Sequence, residues 1–195
     1  MTYKLVFLFI LVYLAGSINF AILLFKFLGK EDPRNKFSGN AGTTNVSRQA
    51  GKFWAIIVLL LDFGRAAGLS AVSLYLLEPE FAPVICLSLI LGNRFPCFHG
   101  FRGGKGVANY LGFTAMLAPV WTAIAAGVWV TVYFVIRIPF IASIFMILTL
   151  SAGTMFTNLF KPAAVIGASL TAIFIIFNHK KNILDYISKH KNEKS

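Results

Sequence analysis

The polar and apolar positions of this chain segregate into long uncharged runs separated by short basic gaps. A membrane crossing takes about 20 apolar residues at 1.5 Å rise each. Runs over 5–26, 53–77, 81–98, 140–158 and 162–178 therefore predict spanning helices. The stretch from Gly106 to Ile136 is harder, because its 31 uncharged residues make about 46 Å of helix, too long for one crossing and short for two. Pro119 lies near its middle, and Pro33, Pro79, Pro83, Pro96, Pro139 and Pro162 fall at or near junctions between runs, where a missing N–H costs least.

Charge placement decides the difficult stretch, since cytoplasmic loops carry the excess of Lys and Arg. The 26–52 gap holds Lys26, Lys30, Arg34, Lys36, Arg48 and Lys52, and the 92–106 gap holds Arg94, Arg102 and Lys105. The tail after 178 holds Lys180, Lys181, Lys189, Lys191 and Lys194. Two crossings of 106–136 put all of these, with Arg137, on one face; a single crossing sets the tail opposite the first two gaps. The expected fold is therefore all-α and polytopic, with seven transmembrane helices, the N-terminus outside, the C-terminus cytoplasmic and 107–118 a short span. Lys4 and Lys161 stay outside with Glu78 and Glu80. The first run exceeds a signal-peptide core and no small-residue cleavage site follows it, so it reads as a retained span. No repeat or second domain divides the chain, which reads as one domain over 1–195.

Composition agrees. Of 195 residues, 57% are hydrophobic and 13% charged, with mean hydropathy +0.76, more apolar side chain than a soluble domain of this length buries. The net charge of +11 suits an anionic membrane face better than nucleic acid, because the cations cluster between apolar runs instead of lining a helix or tail. Cys86 and Cys97 give no disulfide framework, and no His/Cys/Asp/Glu cluster has ligand spacing, so no metal or cofactor is expected.

Two gaps are too polar and too glycine-rich to be mere connectors. In 32–48, Ser38, Asn40, Thr43, Thr44 and Asn45 offer hydrogen-bonding groups, Gly39 and Gly42 allow close backbone approach, and Arg34 and Arg48 supply fork-shaped donors suited to phosphate. The second, His99-Gly-Phe-Arg-Gly103-Gly104-Lys105-Gly106, runs into the short helix, so its glycines can turn several N–H groups toward one anion beside the Lys105 charge. It is not a Walker A loop, since His99 stands where the first Gly belongs and Gly106 follows the lysine. His179 and Asn182, three apart after the last run, share a helix face. Ser143 has no nucleophile elbow around it and alone reads as a packing hydroxyl. Asp62 and Arg65, at i and i+3 inside a run, read as a self-neutralising pair, and Gly16-Ser17 as a site of close helix packing.

Gly16-Ser-Ile-Asn19, Asp32-x-Arg34, Ser38-Gly-Asn-Ala-Gly-Thr-Thr-Asn-Val-Ser-Arg48, Leu61-Asp62, Phe95-Pro96, Gly103-Gly-Lys-Gly-Val-Ala108, Ser143 and His179-x-x-Asn182-Ile together resemble the PlsY-type bacterial glycerol-3-phosphate acyltransferases over nearly the whole chain. The chain departs from the family pattern at Asn19 (usually Pro), Phe37 (Gly), Asn93 (often His), Phe140 (Ser) and Asn178 (Arg). The resemblance implies acyl transfer from a fatty acyl phosphate to the 1-hydroxyl of glycerol 3-phosphate, forming lysophosphatidic acid and phosphate. The expected setting is the cytoplasmic face of the bacterial inner membrane, without coenzyme A. The residues expected to bind substrate are Ser38, Gly39, Asn40, Thr43, Thr44, Asn45, Arg48, Gly103, Gly104, Lys105, Ser143, His179 and Asn182, of which Ser143, His179, Lys105 and Asn182 are the catalytic candidates. The hydroxyl proton goes either to His179 or to a substrate phosphate, and the phosphate is favoured because no acidic orienter stands near His179 in the sequence. The alternatives are a small-anion transporter and a non-catalytic lipid-binding scaffold.

Overall fold

The structure is a computed structural model describing residues 2–192, with side chains to residue 188. Of the tail cations, Lys194 lies outside the described residues, and Lys189 and Lys191 are described in backbone alone. The described residues form ten α-helices and no strand: α1 (Thr2–Gly16), α2 (Phe20–Phe27), α3 (Thr43–Ala50), α4 (Lys52–Leu76), α5 (Ala82–Arg94), α6 (Val107–Leu117), α7 (Pro119–Ile136), α8 (Pro139–Thr157), α9 (Pro162–Phe177) and α10 (Lys180–Asn192). Pro119, Pro139 and Pro162 each open a helix at the position where a missing N–H has no intrahelical partner to lose.

Five segments are long and apolar enough to cross a membrane: Thr2–Phe27, Lys52–Leu76, Pro79–His99, Pro119–Ile136 and Pro139–Thr157. A sixth is counted if α9 and α10, bent by 44° at their junction, form one broken span. With 11 residues, α6 reaches about 16 Å and falls short of a hydrocarbon core. Length and composition thus yield five to six spans where charge placement predicts seven. The outer surface is strongly apolar, with Val120, Phe134 and Val135 on α7 and Ile166, Ile173 and Phe177 on α9 all exposed, as lipid-facing helices require.

The first run is not one uninterrupted helix. Gly16 and Gly92 let α1 and α5 approach until a Cβ on either would collide with the other's backbone, at Leu89 O and Tyr13 O respectively, so Gly16 does the close packing expected of it. Immediately afterwards the helix breaks at Ser17–Asn19, and the Asn19 Oδ1 accepts from Ile22 N at 3.1 Å to start α2. Arg65 of α4 donates to the carbonyl of Ala15 at 3.1 Å, which also accepts from Ile18 N at 3.2 Å, and to that of Ile18, which the break leaves without a helical partner. The same guanidinium pairs with Asp62 at 2.9 Å and donates to the Asn109 amide oxygen of α6 at 2.7 Å. The expected intramembrane pair is therefore present, and it also clamps three segments together.

At one end of the bundle Lys161 and Glu80 pair at 3.0 Å. At the other, helix ends of alternating direction meet: α4, α6 and α8 begin there and α5, α7 and α9 finish there, and residues of α4 to α8, with His179 just past α9, line one cavity.

Candidate active site

That cavity holds about 480 Å³ and has two chemically distinct parts. Leu59, Leu111, Ala126, Val130 and Met146, from α4, α6, α7 and α8, make an apolar wall. The opposite part gathers Ser38, Asn40, Thr43, Thr44, Arg48, Gly104, Lys105, His179 and Asn182 from segments more than 100 residues apart.

The first gap is folded by its own polar side chains. Asn45 donates its amide N–H groups to the carbonyls of Pro33 at 2.7 Å, Asn40 at 2.9 Å and Lys36 at 3.3 Å, and Gln49 reaches Pro33 O at 2.9 Å. Asn45 borders the cavity, yet its amide donors are spent on shaping the loop. Arg34, read from the sequence as a phosphate donor beside Arg48, is corrected here: it is bidentate to Asp32 and donates to His99 O and Arg102 O at 2.6 Å each, stapling the two polar gaps together. Arg48, by contrast, has no ion-pair partner among the described residues and borders the cavity. The start of α3, opened by Gly42 without a side-chain cap, presents Thr43 and Thr44 there, so unpaired N–H groups and the positive helix end meet the same space.

The second gap is pinned to the end of α5, with Gly103 N donating to Arg94 O at 3.0 Å and Gly104 N to Asn93 O at 2.9 Å. Any Cβ at Gly103 would collide with the Asn93 carbonyl, and one at Gly104 would meet the Asn93 amide at 2.8 Å and Ala41 O at 2.9 Å. Gly103 and Gly39 do not border the cavity; Gly103 is filled in by Pro96 and Asn93, and Gly39 turns the first gap with φ +66°. From this platform α6 starts at Gly106, again without a side-chain cap, placing Val107, Ala108 and Asn109 on the cavity.

Lys105 Nζ donates to the Asn182 side-chain oxygen, and Asn178 Nδ2 holds the Lys105 carbonyl at 3.3 Å, so α10 and the end of α9 are tied to the glycine loop. Burial, with Arg94 and Arg48 nearby, brings the Lys105 ammonium down to about 8. His179 is buried, and its Nδ1 lies 2.8 Å from Ile175 O. Donation there leaves Nε2 as the free acceptor, and a carbonyl serves as the orienter that the sequence did not reveal. Burial and the Lys105 charge lower its pKa to about 4, so the ring is neutral at physiological pH. Ser143 donates to Pro139 O at 2.9 Å and accepts from Trp129 Nε1 at 3.2 Å. Its proton already points at the Pro139 carbonyl.

Asn93, marked in the sequence only as a departure from the family pattern, and Asn109 and Trp129, not marked at all as site residues, border the cavity as well. Trp129 lies in the middle of an uncharged run, where an aromatic reads as lipid-facing, and Phe140 packs on Tyr186 with ring centres 5.9 Å apart, joining α8 to α10.

A family model described as glycerol-3-phosphate acyltransferase matches residues 6–189. A protein of that description from Neisseria meningitidis serogroup C strain FAM18 is 35% identical over 180 residues, 88% of each chain. One from Pseudomonas syringae pv. tomato is 36% identical over 182 residues, 90% of this chain and 91% of its own. Among solved structures, the integral membrane glycerol 3-phosphate acyltransferase PlsY (YgiH) in its glycerol 3-phosphate form superposes with a TM-score of 0.87 at 31% identity, covering 95% of this chain and 93% of that one. Its lysophosphatidic acid form gives 0.84 at 30%.

Proposed function

The chain belongs to the glycerol-3-phosphate acyltransferase family, and from that premise we propose that it transfers a fatty acyl group from an acyl phosphate to the 1-hydroxyl of glycerol 3-phosphate, yielding lysophosphatidic acid and phosphate. It is a PlsY-type, multi-pass membrane acyltransferase, which displaces the transporter and scaffold readings. The two-part cavity carries the proposal: cations without acidic partners among the described residues and uncapped helix starts on one side, apolar walls on the other, as substrates made of phosphate and lipid chain require.

In this reading Arg48, Lys105 and Asn182 hold the phosphates, Ser38, Asn40, Thr43, Thr44 and Ser143 orient the substrates, and Gly104 borders them. The hydroxyl oxygen attacks the acyl carbon; the new ester C–O bond forms, the C–O bond to phosphate breaks, and phosphate leaves. An acyl phosphate is a mixed anhydride with a good leaving group, so positioning and charge neutralisation supply most of the rate and no covalent enzyme intermediate is needed. His179 Nε2 accepts the hydrogen bond of the hydroxyl. A ring titrating near 4 is a weak base at neutral pH, so the proton passes to a phosphate oxygen. Alternating helix ends at the cavity and basic gaps beside it support seven crossings with α6 short, the N-terminus outside and the reaction at the cytoplasmic face of the inner membrane.

Purified protein in detergent is expected to release phosphate from acyl phosphate when glycerol 3-phosphate is present, and to give no product from acyl coenzyme A. Equal use of acyl coenzyme A, or an acyl adduct trapped on Ser143, would overturn the proposal. His179→Gln is expected to keep the maximal rate and lose glycerol 3-phosphate affinity; loss of rate alone at saturating substrate would restore His179 as the base.

A further inference from the structure

Asn93 closes α5 with a side chain that has no use in the fold. It is 2% exposed and borders the cavity, and its carboxamide has no hydrogen-bond partner among the described residues. The other buried asparagines are all engaged: Asn19 with Ala41 O, Asn45 with three carbonyls, Asn109 with Arg65, Asn158 with Thr154 O and Asn178 with Lys105 O. Its amide atoms are not sealed off but open onto the cavity, where they can meet a donor or acceptor arriving from outside.

Its placement is fixed from both sides. The backbone of Asn93 receives Gly104 N at 2.9 Å, and its Nδ2 lies 2.8 Å from where a Gly104 Cβ would stand. Gly104 therefore makes room for the amide, one residue before Lys105 and against the first gap at Ala41, where the two polar gaps meet. Cations and helix starts in this cavity suit groups that are anionic throughout. A neutral, rigid N–H donor suits an oxygen that gains charge only during reaction.

We propose that Asn93 is a catalytic residue whose Nδ2 donates to the acyl carbonyl oxygen and binds it more strongly as it becomes an oxyanion. The proposal rests on the acyl-phosphate reading. The attacking hydroxyl adds to the carbonyl carbon, the π electrons move to the oxygen that Asn93 holds, and they return as the phosphate leaves with its bonding pair.

Asn93→Ala, Asn93→Asp and Asn93→His are to be compared with the wild type by phosphate release at saturating acyl phosphate and glycerol 3-phosphate, with glycerol 3-phosphate binding measured by calorimetry. Asn93→Ala is expected to lower kcat about 100- to 1,000-fold with glycerol 3-phosphate affinity unchanged. Asn93→Asp, close in shape but acceptor-only, falls as far, whereas Asn93→His, which keeps an N–H, recovers about tenfold or more over Ala. Wild-type kcat in the Ala or Asp variant, or a loss confined to glycerol 3-phosphate affinity, overturns the assignment. If Asn93→Ala fails to fold, the ratio of the Asp to the His variant decides in the same way. A wild-type protein inert toward acyl phosphate overturns the parent reading instead.

Discussion

Arg65 and Lys105 are both cations drawn inside the protein beside one cavity, and their surroundings are opposite. Arg65 has a carboxylate at 2.9 Å, an amide oxygen at 2.7 Å and two backbone carbonyls, so its charge is answered from within, although its Nε–H has no partner among the described residues. Lys105 has the neutral Asn182 oxygen, no acidic partner among the described residues, and two arginines close enough to depress its ionisation. A buried charge that the protein neutralises is architecture. One kept without a counter-charge is unfavourable until an anion arrives, which is a property of binding sites.

The largest test of that contrast is Arg65→Met, which strands Asp62 and is expected to destabilise the protein by about 3–5 kcal/mol, read as a lowered melting temperature in detergent. Adding Asp62→Asn should recover most of this, leaving the part due to the Ala15 and Ile18 carbonyls; a stable single variant would erase the distinction. Lys105→Ala should behave inversely, keeping the melting temperature while kcat/KM falls about 100-fold or more, near the lower end of the range for removing a preorganised charge. A pH profile sharpens the point: with its ammonium near 8, Lys105 is charged below that value and neutral above it. kcat/KM is expected to fall up to about tenfold per unit above pH 8, and Lys105→Arg to remove that limb. In the substrate-free protein the sign for stability is reversed, because the unfolded lysine holds its proton to higher pH than the folded one, so stability rises between about pH 8 and 10. The smallest effect is at Phe37, held at φ +52° in the loop that leads to α3 and Arg48. Phe37→Gly is expected to gain about 0.5–1 kcal/mol in thermal unfolding with activity unchanged.

The glycine-flanked Lys105, Arg48 and the Asp62–Arg65 spacing were legible in the sequence, because each rests on neighbours within a few residues. Arg34 and Arg48 look alike there; only the approach of the second gap, 65 residues away, diverts Arg34 into carbonyls. Asn93 and Trp129 sit at the edge and in the middle of apolar runs, and no local pattern marks a residue whose neighbours come from other helices. Charge placement predicts seven spans, whereas length and composition give five to six, because α6, packed on α4 and α8, has only 11 residues.

The clamp on the broken first span bears on how the chain is made. Ile18 and Arg65 are 47 residues apart, so during synthesis the first segment is made well before the donor for its open carbonyl. Its final shape must wait for α4, and a chain stalled before residue 65 would offer quality-control proteases an unfinished segment inside the bilayer.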